Sequence, residues 1–115
     1  VVRLPRRLPC HVAARVLLTG EPLTAAEGEE YGLVNVLTPP GAALDVGWEL
    51  AGSVARNAPL ALAAVKEILR ETQGLNESDA FTRQDEITSG LFSSEDAREG
   101  ARAFAEKRAP IWHGR

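Results

Sequence analysis

The sequence predicts a mostly α-helical chain with one short strand. Three observations carry that expectation. Apolar residues recur at helical spacing over most of the length, Thr24 with Glu27 and Ser93 with Asp96 have the spacing of helix-opening caps, and only Leu33 to Thr38 leans towards β.

Pro9 sits where a helix can begin, and Val12, Val16 and Leu17 keep helical spacing until Thr19-Gly20 stops it. Thr24 and Glu27 open a short second helix that leaves at Gly32, with Gly28 inside it costing about 1 kcal/mol relative to Ala. Leu33 to Thr38 reads as the single strand, closed by Pro39-Pro40-Gly41. A third helix covers Ala42 to Arg56, where Leu44, Val46, Trp48, Leu50 and Val54 form a broad apolar surface and Trp48 is expected in the core.

The fourth helix runs from Pro59 to Gln73 with Leu60, Ala64 and Ile68 on one stripe and Gly74 as its exit. Ser78 opens a fifth helix holding Phe81, Ile87 and Leu91, with Gly90 at the junction. In the sixth, Ala97, Gly100, Ala101 and Phe104 recur at i, i+3, i+4 and i+7. That is a small-residue face with Phe104 as its anchor, and Pro110 ends the helix. No repeat or low-complexity tract interrupts the series. A lone strand among helices cannot make a sheet-based core, so it requires a neighbour that this sequence does not supply.

With 115 residues the chain is one domain or part of one, and 44% apolar with 25% charged residues excludes a disordered composition. A net charge of -3 and a pI near 5.4 give no positive field for nucleic acid or an anionic membrane. No apolar run approaches the ~20 residues of a bilayer span. Arg3, Arg6 and Arg7 are interrupted by Pro5 and Pro9, which argues against a targeting segment, and no aromatic residues interleave them for base stacking. A start at Val1 instead of Met fits a processed or truncated product, and the single Cys10 fits a reducing, cytoplasmic setting.

Taken in order, Arg3-Leu4-Pro5-Arg6, Leu18-Thr19-Gly20, Gly32-Leu33-Val34-Asn35, Asn57-Ala58-Pro59 with Lys66, and Ser94-Glu95-Asp96-Ala97-Arg98-Glu99-Gly100 through Phe104 and Glu106-Lys107-Arg108 resemble the enoyl-CoA hydratase/isomerase (crotonase) family. The motifs span nearly the whole chain and match the family's C-terminal part. The resemblance implies that residues 1–38 are the end of an α/β spiral core and that 42–115 form a helical oligomerisation and lid region. It also implies a parent reaction on acyl-CoA, either hydration of a 2-enoyl-CoA or double-bond isomerisation in fatty acid metabolism. Coenzyme A enters as the substrate's thioester and not as a tightly bound cofactor. A homo-oligomer follows too, a trimer or dimer of trimers, or association with an N-terminal half.

In the family, backbone N–H groups form an oxyanion hole that stabilises enolate-like charge, and one or two Glu act as acid and base. Those segments lie upstream of the Arg-Leu-Pro-Arg-like stretch, so no acidic residue here matches a catalytic position and the chain alone is expected to be inactive. Glu27, Glu29, Glu30, Asp85 and Glu86 read as solvated faces. By motif match, Phe104 packs near the coenzyme and Lys107 offers its ammonium to CoA phosphates or the adenine edge. The alternatives are ordinary packing for Phe104 and, for Lys107 and Arg108, a helix-dipole interaction of about 0.3–1 kcal/mol. Cys10 beside His11 has no third group to orient a nucleophile, and no metal-site spacing exists. His113 is expected in a mobile tail, where Trp112 could anchor to another subunit.

Overall fold

A computed structural model describes all residues, Val1–Arg115, and divides into two compact units, Val1–Val46 and Gly47–Arg115. Six α-helices follow one another: α1 (Cys10–Thr19), α2 (Ala25–Glu30), α3 (Ala43–Ala55), α4 (Pro59–Glu71), α5 (Glu77–Thr88) and α6 (Glu95–Glu106), with short 3-10 turns at Leu4–Arg6 and Leu91–Ser93. The division falls within α3.

In the first unit, Leu8, Val12 and Ala13 are buried, with Leu4, Leu23 and Tyr31 packed around them. Gly20 takes a left-handed φ of 73° and donates its N–H to the Val16 carbonyl, which closes α1. Thr24 caps α2 as its spacing requires. Its Oγ1 accepts the Glu27 N–H, and Glu27 Oε2 accepts the Thr24 N–H at 2.9 Å. The other Glu27 oxygen accepts from Arg15 at 2.8 Å, which fastens α2 to α1.

The expected strand does not form. The N–H groups of Leu33 and Val34 both donate to the Gly28 carbonyl at the end of α2, and that of Leu37 donates to Glu29 Oε1. With those donors spent on α2 and no partner strand beside it, Leu33–Thr38 remains irregular. The fold is all-helical, which corrects the mixed expectation while keeping its helical part.

In the second unit, α4 and α5 are joined through Arg83, whose guanidinium donates to Glu71 (2.8 Å) and Glu86 (2.7 Å) and lies 3.5 Å from Glu67. Two helix starts differ from expectation. Asn76 caps α5, accepting the Asp79 N–H, so the helix begins before Ser78. Ser94 caps α6, accepting the Ala97 N–H at 3.0 Å, because Ser93 is held in the preceding turn with its hydroxyl donating to the Gly90 carbonyl.

The apolar surface of α3 is not a core here. Trp48 is 70% exposed, and Leu44, Leu50 and Val54 are open to solvent. The whole chain exposes 8940 Å².

Candidate functional site

The chemistry-bearing residues of the second unit gather on α6 and the segment after it. The exposed last turn of α6 carries Phe104, and Lys107 follows immediately. Lys107 is the sole non-glycine residue with positive φ (φ 54°, ψ 39°). Its N–H donates to the Phe104 carbonyl at 3.2 Å and the next N–H, from Arg108, to the Ala103 carbonyl at 3.1 Å. This pair of bonds makes a Schellman motif with Lys107 at the position that ordinarily favours glycine. The left-handed turn reverses the chain, which then runs back along α6.

Two buried carboxylates hold the returning segment. Glu99 accepts the Ile111 N–H at 2.9 Å and both terminal nitrogens of Arg108, at 2.6 and 3.1 Å. Arg102, one turn along α6, also donates to it. Asp96, 2% exposed, accepts the N–H groups of His113 (2.7 Å) and Gly114 (3.0 Å). The N–H groups of Glu95 and Asp96, free at the helix start, donate in return to the Arg115 carbonyl. Arg108 first, then Arg102 and the Ile111 N–H, hold the Glu99 carboxyl far below the usual carboxylate range, and Glu99 first, then Glu106, raise Arg108 above the ordinary guanidinium value.

His113 is therefore pinned and not in a mobile tail, because its backbone is zipped to α6. Trp112 does not extend outward: its Nε1 donates to the Arg56 carbonyl at 2.8 Å, and its ring covers Gly100 so closely that a Cβ there would lie 3.3 Å from Cη2. Trp112 thereby walls an apolar cavity of about 390 Å³, with Ala58, Leu60, Leu91, Phe92 and Ala97 among its other lining residues.

Of the residues singled out in the sequence, Phe104 is 88% exposed and Lys107 is exposed with no ion pair. The neighbouring acid, Glu106, is taken by Arg108 at 2.6 Å. The last turn of α6 thus presents an open aromatic ring and an unpaired ammonium three residues apart. Phe104 does not anchor α6 within this chain, since the buried face is Asp96, Glu99 and Ala103. That i, i+3, i+7 series is the missed signal: two acids share a stripe with an alanine.

Several of the remaining acids make structural contacts. The Glu27 carboxyl is held below its ordinary value by Thr24 and then Arg15, and that of Glu71 by Arg83 and then Arg70. Glu86 pairs with Arg83, and Glu29 holds the Leu37 N–H, so the solvated reading of these acids is incomplete. Cys10 is exposed and unbonded, no three potential ligands cluster for a metal ion, and no helix is long and apolar enough to cross a membrane.

Comparison with known proteins agrees with this helical arrangement. Residues 1–115 match the enoyl-CoA hydratase/isomerase family profile. The chain is 46% identical over 114 residues to enoyl-CoA hydratase EchA19 of Mycobacterium tuberculosis, covering 99% of this chain and 43% of that protein. It is 40% identical to carnitinyl-CoA dehydratase of Proteus mirabilis, covering 100% of this chain and 46% of that one. The crystal structure of enoyl-CoA hydratase EchA1 from Mycobacterium marinum superposes with a TM-score of 0.94 at 46% identity, over 99% of this chain and 45% of that chain. The chain spans less than half the length of these relatives, and it belongs to the enoyl-CoA hydratase/isomerase family.

Proposed function

We propose that this chain is the acyl-CoA-contacting, helical C-terminal part of a crotonase-family protein. The parent reaction is hydration of a 2-enoyl-CoA or double-bond isomerisation, in cytoplasmic fatty acid metabolism. The observation that carries this is the family match over the full chain, with relatives named as an enoyl-CoA hydratase and a carnitinyl-CoA dehydratase. Residues 1–38 complete a spiral core, and 42–115 serve as the lid and oligomer contact of a trimer or dimer of trimers.

Phe104 stacks or packs against the coenzyme, and Lys107 meets a CoA phosphate or the adenine edge. Both serve a coenzyme held mostly by another segment or subunit. Their exposure and the unpaired state of Lys107 support this assignment.

Alone, the chain turns over no substrate. Glu27, Glu71 and Glu99 are tied to cations and held ionised, so none is poised as a proton donor near neutral pH. The test is crotonyl-CoA hydration by the purified 115-residue chain. Turnover above the uncatalysed rate overturns the inactive reading.

A second reading, a non-catalytic helical assembly or CoA-binding module, is favoured by the exposed area. Trp48 is 70% exposed and Leu44, Leu50 and Val54 lie open on α3, an apolar face of the kind that marks an interaction surface. A monomer by light scattering, with no binding of an apolar dye, removes it.

A further inference from the structure

Lys107 occupies a backbone conformation that an L side chain rarely adopts, and nothing in its own side chain stabilises it there. Beyond the two Schellman bonds, compensation comes from Glu99, two turns back along α6. Its carboxylate accepts on both sides of the reversal: Arg108 bidentately, directly after Lys107, and the Ile111 N–H, where the returning segment begins. Arg102 occupies the remaining acceptor capacity. Arg108 in turn engages Glu106 on the other flank of Lys107, so the acid nearest the ammonium is already committed.

We propose that Glu99 is a positioning residue for Lys107: by clasping Arg108 and the Ile111 N–H it holds Lys107 left-handed at the apex of the reversal, with its ammonium unpaired and presented beside Phe104. Glu99 itself touches no ligand. The consequence for binding rests on the CoA role proposed for Lys107, whereas the conformational claim does not.

The experiment is NMR on the isotope-labelled 115-residue chain, as wild type, Glu99→Gln, Arg108→Gln, Lys107→Ala and the Glu99→Gln/Lys107→Ala double variant. Glutamine loses the charge and turns the oxygen that accepts from Arg108 Nη2 and Arg102 into an amide donor facing two guanidiniums, so the bidentate grip on Arg108 is lost. The Lys107 carbon shifts and its amide–α-proton coupling are expected to lose their left-handed signature in Glu99→Gln and Arg108→Gln, while residues 95–103 keep helical shifts. Persistence of that signature in both variants overturns the proposal. So does melting of all of α6 in both, because Glu99 would then support the helix and not the turn.

CoA titration supplies the second arm. Lys107→Ala is expected to weaken CoA about threefold, the size of an exposed ion pair. Glu99→Gln weakens it similarly in the wild-type background and not at all once Lys107 is alanine. Equal weakening by Glu99→Gln in both backgrounds overturns positioning through Lys107. If CoA perturbs neither Phe104 nor Lys107, the reading that this chain by itself contacts the coenzyme fails, while the conformational result still decides the role of Glu99.

Discussion

The Asp96 carboxylate accepts the backbone N–H of His113 at 2.7 Å across 17 residues of sequence, and a buried acid on α6 thereby fixes the path of the segment that follows the helix. Asp96→Asn keeps the shape but replaces one acceptor oxygen with a donor facing either His113 or Gly114. The expected cost is about 1–3 kcal/mol, since a buried N–H is left unmatched. Urea denaturation followed by circular dichroism gives the loss, and faster amide exchange at His113 and Gly114 localises it.

Lys107→Gly is expected to move stability and binding in opposite directions. Glycine adopts φ 54° without a Cβ penalty, which stabilises the chain by about 0.5–1 kcal/mol, while the ammonium is lost. A higher Tm accompanied by weaker CoA binding is the result to look for; unchanged Tm would mean that the turn is not under strain.

Phe104→Ala tests whether the exposed ring has a use outside this chain. At 88% exposure it contributes nothing measurable to the core, so stability changes by less than about 0.5 kcal/mol. Self-association or CoA affinity falls. A stability loss well beyond that range would place the ring in packing within this chain.

Thr24→Ala removes the hydroxyl that accepts the Glu27 N–H and is expected to cost about 1 kcal/mol. The loss is local to the first unit. Exchange at the start of α2 accelerates, and that in α6 does not.

Acid weakens the Glu99 clasp in a defined direction. A carboxyl whose folded pKa lies below its unfolded value contributes stability that is fully present above the unfolded value and is lost as pH falls towards the folded one. For Glu99 the contribution is constant from neutral pH down to about the ordinary 4.5 and declines progressively below it. Glu27 and Glu71 shift in the same direction and add to the slope. Urea midpoints measured across this range are expected to fall less steeply in Glu99→Gln than in wild type.

Helix starts and stops marked by local chemistry were legible in the sequence: Thr24 with Glu27, Gly20 after α1 and Pro59 opening α4 all stand where their spacing puts them. The caps of α5 and α6 differ from expectation by two residues and one because neighbouring Asn, Ser and Asp side chains compete for the same N–H groups, and only the fold decides between them. Leu33–Thr38 has strand composition, yet strand pairing is non-local and nothing in the chain pairs with it. Phe104 and Lys107 were singled out through their motif, whereas the buried acids of α6 that bond the returning segment were not. Asp96 read as half of a cap, and Glu99 as part of the Ser94-to-Gly100 motif, because burial on α6 depends on Trp112 and the returning segment, which periodicity alone does not place.

The carboxylate clasps also bear on folding order. Glu27 reaches Arg15 and Thr24, Arg83 reaches Glu71, and Asp96 reaches Gly114, all within 18 residues, so each closes a short loop with a small entropic cost. The Trp112 bond to Arg56 spans 56 residues and carries the largest loop-closure cost of these contacts. Helices and turns of this kind assemble in microseconds to milliseconds, ahead of any encounter with another chain or segment. In the assembly proposed above, the apolar face of α3 would form first, and the slow, concentration-sensitive step would be the collision that covers it.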